Sequence, residues 1–211
     1  MGRYLIGRQR MQRKAGRHPE NRYMVMIMLE DEAGFPAGNI PPALLPDRYE
    51  QRSPHVTLYG PITLRQGCSP DDIVDCIGMH AKDRSSLCFE VRGLIVLRGR
   101  KGDALALEIR PDHNMKEFYA LLSSRLKAIA QRSTRIDRHP ELRRLHITLA
   151  FNMRAGEAER LCEEITIPSS GREMYAAPGI TLIRNGALWC EYNLARHRWL
   201  DRVASFAKKE R

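Results

Sequence analysis

Two tetrapeptides, His55-Val56-Thr57-Leu58 and His146-Ile147-Thr148-Leu149, repeat one pattern of histidine, β-branched apolar residue, threonine and leucine at a separation of 91 residues. Polar residues alternating with β-branched and apolar ones suit a strand with one face in a core and the other open. On such a strand His55, Thr57 and Tyr59 share a face, while Val56 and Leu58 take the other. The second copy sets His146 and Thr148 together and turns Ile147 and Leu149 inward. Each strand then presents an imidazole and a hydroxyl about 7 Å apart along its length. With seven His and six Thr in the chain, a given His has a Thr two places on with ~3% probability, so two such pairs arise by accident ~2% of the time. The fold must therefore accommodate two similar half-buried strands. The bland alternative is two unrelated strands whose histidines sit in separate cores, more than about 10 Å apart.

The elements around these strands are short and alternate in type. Tyr23 to Leu29 is an apolar run bounded by charge and reads as a buried strand. Ala33 to Pro54 is rich in Pro and Gly, so it reads as a long connection with at most a helical turn at Ala43 to Tyr49. Ser69-Pro70-Asp71-Asp72 supplies a cap, a first-turn proline and first-turn carboxylates for a helix carrying Ile73, Cys76, Ile77 and His80. Leu87–Val91, Leu94–Leu97 and Ala104–Ile109 read as neighbouring antiparallel strands, with turns at Gly93 and at Gly99 to Asp103. Asn114 to Ala130 places Met115, Phe118, Leu122, Leu126 and Ile129 on one helical stripe. A further helix buries Ala158, Leu161, Cys162 and Ile165, so the order strand then helix occurs twice. Asn185-Gly186 marks a tight hairpin turn between Ile180–Arg184 and Ala187–Tyr192. Trp199, Val203, Phe206 and Ala207 suggest a closing helix. The expectation is an α+β unit spanning residues 23–207, preceded by a basic arm (1–22) and followed by a short tail (208–211).

Charge and cysteine content narrow the setting. The 35 Lys and Arg against 25 Asp and Glu leave a net charge of +10. Residues 1–22 carry seven of these cations and a single acid, Glu20. Such an arm can neutralise phosphates, which points to RNA as a partner; a solvated tail without a ligand is the alternative, and the apolar content is thin for an organelle presequence. Five scattered cysteines without a CxxC pair argue against a disulfide framework or a thiolate zinc site and favour a reducing cytoplasm. No apolar run reaches the roughly 18 residues of a membrane span, and the first 22 residues lack a secretory apolar stretch, so a membrane partner is not expected.

The paired motifs, in the surroundings PHVTLYGP and LHITLAF, with their spacing and the closing strand, NG turn and strand, resemble those of the 2H (two-histidine) phosphoesterase superfamily, which includes 2'-5' RNA ligase-like proteins and RNA cyclic phosphodiesterases. The resemblance spans about Arg22 to Arg202. It implies a bilobal α+β fold with pseudo-two-fold symmetry, in which two antiparallel sheets line a central cleft with helices outside. It also implies that His55 and His146 are the catalytic pair and that Thr57 and Thr148 hold the phosphate. The Pro-rich stretch before the first motif and the basic arm depart from many relatives.

The chemistry fits those residue types. Opening a 2',3'-cyclic phosphate needs a base for the attacking water and an acid for the departing ribose oxygen, and imidazole can serve as either near neutral pH. The threonine hydroxyls can donate to non-bridging oxygens, where charge builds. The scheme needs no metal, cofactor or ATP; HExxH, cysteine clusters and a GxxxxGK[ST] loop are absent from the sequence. Read in reverse, the same machinery joins RNA ends through a 2'-5' linkage. The expected substrates are RNA ends or cyclic nucleotides, handled by a monomer, and the competing reading is a non-catalytic nucleotide- or RNA-binding module using the same cleft. Tyr59 is a candidate substrate contact, against ordinary cleft lining. Of Arg52, Arg138, Arg143 and Arg144, any could reach a phosphate, and no single one is favoured.

Overall fold

The apolar run after Arg22 forms strand β1 (Tyr23–Met28), and the first His-Thr copy opens β2 (His55–Leu64). The computed structural model of the protein describes residues 21–29, 54–84, 86–165 and 174–200. The basic arm before Asn21, the turn at Ala43 to Tyr49 and the chain beyond Leu200 lie outside them. Helix α1 (Pro70–Ala81) begins as its sequence dictates: the Asp71 amide donates to the Ser69 hydroxyl, and the Ser69 amide donates to the Asp72 carboxylate. That reciprocal cap satisfies two amides the helix leaves orphaned.

Strands β3 (Cys88–Leu97) and β4 (Asp103–Pro111) pair as a hairpin. Where the sequence reads two strands and a turn at Gly93, one strand runs through. Gly93 adopts φ 147°, and the register slips between Val91 and Gly93. A residue without Cβ takes that φ freely, so the strand bulges instead of ending. Helix α2 (His113–Ile129) is capped by the Asp112 side chain, which accepts from the Met115 amide at 2.7 Å. Next come β5 (Ala130–Arg132), α3 (Arg135–Arg138) and a 3-10 turn (Pro140–Leu142), none of which stands out in the sequence. The second His-Thr copy opens β6 (His146–Met153), followed by α4 (Glu157–Glu164) and β7 (Met174–Ala176).

Strands β8 (Gly179–Arg184) and β9 (Ala187–Asn193) flank the Asn-Gly turn, whose φ values of 52° and 84° have the sign that a tight hairpin demands. Trp199, expected in a helix, lies in β10 (Arg198–Leu200), directly opposite Tyr192 and edge-on to its ring at 5.4 Å. At Trp199 the cross-strand aromatic pair outweighs the helical spacing; Val203, Phe206 and Ala207, the rest of that expected helix, lie outside the described residues.

Every named ladder is antiparallel, in the order β10-β9-β8-β1-β2-β6-β4-β3-β7, with β5 on the far part of β2. The sheet is strongly curled. Where the resemblance implies two antiparallel sheets, one curled sheet runs through, its halves joined where β2 meets β6. The connections cross. The β3–β4 hairpin, which follows the first motif strand, pairs onto β6, whereas the β8–β9 hairpin, which follows the second, pairs onto β1 beside β2. Val56, Leu58, Ile147 and Leu149 are at most 9% exposed and share one core with Phe118, Leu122 and Leu126 of α2. Burying each such side chain is worth ~1.5–3 kcal/mol, which fixes the strand faces and leaves the alternate residues on the open side. Among the described residues no helix is long and apolar enough to cross a membrane.

Candidate active site

The two motif strands touch through one ladder pair, Val56 opposite Ile147. Because the pairing is antiparallel, one step either way sets His55 against Thr148 and Thr57 against His146. Parity puts all four on the face opposite Val56 and Ile147, and all four are half-buried where their neighbours in the motifs are buried. Each imidazole thus has one threonine along its own strand and the other across the ladder. The histidines occupy a diagonal, spaced by roughly 7–8 Å in a regular antiparallel pair. Met28 and Met26 flank His55 and Thr57 from β1, while Ala106 and Glu108 flank Thr148 and His146 from β4.

His146 is oriented through its ring. Its Nδ1 lies 2.8 Å from the Arg144 carbonyl oxygen. A carbonyl only accepts, so Nδ1 carries the hydrogen, and in the neutral ring Nε2 keeps its lone pair. Burial pulls the His146 pKa below the usual imidazole value; the Arg144 carbonyl opposes this, and the nearby charges of Arg143 and His55 add to the lowering. The two imidazoles therefore sense one another.

The first motif is oriented through its backbone. Arg143 Nη1 donates to the Thr57 carbonyl at 3.1 Å, and Nη2 pairs with the fully buried Asp137 carboxylate. Asp137 also accepts from the Gly60 amide at 3.2 Å and from the Thr134 hydroxyl at 2.6 Å. The segment leading into the second motif thus grips the strand of the first. Of the four arginines weighed, Arg143 makes this contact; Arg144 contributes its carbonyl, Arg138 is exposed nearby, and Arg52 lies outside the described residues. Asp137 drew no attention in the sequence, although Thr134-x-x-Asp137 has the spacing of a reciprocal helix cap and forms one.

Tyr59 departs from its expected place. Met26 sits opposite Thr57 but Val25 opposite Tyr59, so β2 carries one extra residue there and alternation breaks. Tyr59 is 0% exposed, and among the described residues its hydroxyl has no hydrogen-bond partner. Burial, with the Asp137 charge adding, pushes its pKa up to about 12. It belongs to the core behind the site and not to the open face.

A model of the 2'-5' RNA ligase superfamily matches residues 31–179. The chain belongs to that superfamily, whose fold is the one described above. TT0787 of Thermus thermophilus is similar at 13% identity over 82% of this chain and 98% of that one, with a TM-score of 0.56. Usb1 of Kluyveromyces marxianus, solved with uridine monophosphate, is similar at 11% identity over 81% and 96%, with a TM-score of 0.50. LigT of E. coli, solved with 3'-AMP, gives 15% identity over 86% and 93%, with a TM-score of 0.42. At these identities the likeness to TT0787 and Usb1 is one of fold. None of the curated proteins compared matches the chain.

Proposed function

We propose that the protein opens 2',3'-cyclic phosphate ends of RNA to 2'-phosphates by acid–base catalysis between His55 and His146, without metal or ATP. The observation that supports this reading is the Val56–Ile147 pairing, which makes the two motifs neighbours on one face with their imidazoles on the diagonal. Water attacks phosphorus and loses its proton to His146 Nε2, the P–O3' bond breaks, and O3' takes a proton from His55. The product carries a 2'-phosphate and a 3'-hydroxyl, and exchange with solvent restores both rings. His146 takes the part of base because its surroundings favour the neutral ring, the form that can accept a proton. Thr57 and Thr148 donate to the non-bridging oxygens, whose charge grows in the transition state. A 5'-hydroxyl in place of water gives a 2'-5' linkage, so the same site supports ligation. That a protein of similar fold was solved with uridine monophosphate agrees with a nucleotide ligand. The basic arm, residues 1–22, adds phosphate contacts to longer RNA; its removal should weaken RNA affinity and flatten the salt dependence.

The test is turnover of a 2',3'-cyclic mononucleotide in EDTA, with the product identified by chromatography. The expected product is the 2'-monophosphate, and His55→Ala and His146→Ala should each cost at least about a hundredfold, the scale of one lost proton transfer. Absence of turnover on cyclic nucleotides, cyclic-ended RNA and 2'-5' linked oligonucleotides overturns the proposal. Nucleotide binding that survives both substitutions would then mark a recognition module.

A further inference from the structure

At the end of β2 remote from His55, where β1 begins and β5 pairs, lies a pocket of about 360 Å³. Thr63, in its wall, and His55 stand near opposite ends of β2, roughly 20–25 Å apart along a strand of that length. The pocket is therefore distinct from the candidate active site.

Three of its lining residues form a row across the sheet. Arg132 of β5 is directly opposite Thr63. On the other side of β2, Tyr23 is opposite Ile62, so one step outward along both strands brings Arg22 opposite Thr63. Residues opposite one another share a face, and neighbouring strands lie ~4.8 Å apart, so the backbones of the two arginines are about 10 Å apart with the threonine between them. Side chains as long as arginine close that gap and can meet over Thr63. Asn185 holds Arg22 in the row: its side-chain oxygen accepts from the Arg22 amide, and its own amide donates to the Arg22 carbonyl, both at 2.9 Å.

The chemistry of the wall selects an anion. Arg22 and Arg132 are its charged groups, and no carboxylate lines it. Thr63 is only 9% exposed, and its hydroxyl is buried without a hydrogen-bond partner among the described residues. A buried hydroxyl left in that state costs free energy that a ligand oxygen at this point would recover. Ser133 brings a second hydroxyl to the pocket, whereas the Thr134 hydroxyl is committed to Asp137. Planar, forked donors on either side of a hydroxyl suit a phosphate group, which has several acceptor oxygens. The volume is that of a small-molecule site and exceeds what a bare phosphate fills, and Pro61 offers the remainder of a ligand an apolar contact.

We infer that this pocket is a second phosphate site, which takes the dianionic phosphate of a small phosphomonoester between Arg22 and Arg132 with one oxygen on the Thr63 hydroxyl. Two cations favour a monoester, which carries nearly two negative charges, over the diester of a nucleic-acid backbone, which carries one. The inference stands apart from the reaction proposed at His55 and His146.

Calorimetric titration tests it without any turnover. The probes are inorganic phosphate and glycerol 3-phosphate at about pH 8, where both are dianions, with dimethyl phosphate as the diester, all at constant ionic strength. Each is titrated into the wild type and into Thr57→Val/Thr148→Val, which removes the hydroxyls of the other candidate phosphate site. Both dianions should bind the Val variant with a dissociation constant of about 1 mM or below, and dimethyl phosphate at least about tenfold more weakly. In that background Arg22→Gln/Arg132→Gln should weaken glycerol 3-phosphate at least about tenfold. Thr63→Val, which deletes the hydroxyl and keeps the shape, should weaken it about fivefold with the denaturation midpoint maintained, and so decides the matter even if the arginine variant does not fold. Loss of dianion binding in Thr57→Val/Thr148→Val, or affinity untouched by the substitutions at Arg22, Arg132 and Thr63, overturns the inference. Dimethyl phosphate binding as tightly as the dianions also overturns it and gives the pocket to a nucleic-acid backbone.

Discussion

The two motif strands carry the same pattern of residue types, yet the molecule holds them differently. The first is fixed by its backbone, through the Thr57 carbonyl on Arg143 and the Gly60 amide on Asp137. The second is fixed by its imidazole, through Nδ1 on the Arg144 carbonyl. One result is an electrostatic asymmetry: Arg143 is among the charges that favour the neutral form of His146. The duplicated tetrapeptide thus supplies two groups of one kind, and their surroundings distinguish them.

The histidines offer the sharpest way to break this comparison. Both alanine substitutions should cost at least about a hundredfold in kcat/KM, but the pH profiles should differ. The acid limb, where His146 becomes protonated, should lie below the usual imidazole value in the wild type and vanish in His146→Ala while persisting in His55→Ala. Identical profiles for the two variants would remove the asymmetry.

Arg143→Met comes next. It strands a fully buried carboxylate, which should cost about 3 kcal/mol in chemical denaturation, and Asp137→Asn in the same chain should recover part of that. Its second effect is on pH. The arginine charge disfavours imidazolium, so its loss raises the His146 pKa and moves the acid limb of the rate profile to higher pH. A stability loss without that movement would reduce Arg143 to scaffolding. Thr57→Val and Thr148→Val should each lower kcat about tenfold, the worth of one hydrogen bond to a charged oxygen, with circular dichroism unchanged. The smallest effect is expected for Tyr59→Phe. A buried phenol without a partner loses little when its hydroxyl goes, so denaturation midpoints should shift by less than ~1 kcal/mol equivalent and turnover by less than about twofold. A tenfold fall in turnover would return Tyr59 to the substrate.

Much of the local structure could be read from local sequence. Ser69, Pro70 and Asp72 announce α1, Asn185-Gly186 announces a hairpin, and alternation alone puts His55 with Thr57 and His146 with Thr148. What escaped depends on residues far apart in the chain. The Arg143 contact with Thr57 spans 86 residues and the Asp137 contact with Gly60 spans 77. Tyr59 turns inward because β2 has one residue more than its partner β1 at that point, which no single strand reveals. Trp199 joins a strand because Tyr192 waits opposite it. The register that makes the candidate site a diagonal pair is of the same kind, a property of two strands together.

The crossed hairpins have a consequence for how the chain can be divided. A cut between α2 and β6 would yield a leading piece that retains β3–β4 without the strand they flank, and a trailing piece that retains β8–β9 without β1. Each fragment would bare a long row of unpaired amides and carbonyls, a template for aggregation. Mixed, the two fragments supply each other's missing edge. The polypeptide is therefore two interlaced halves, each covering an edge that the other would leave bare.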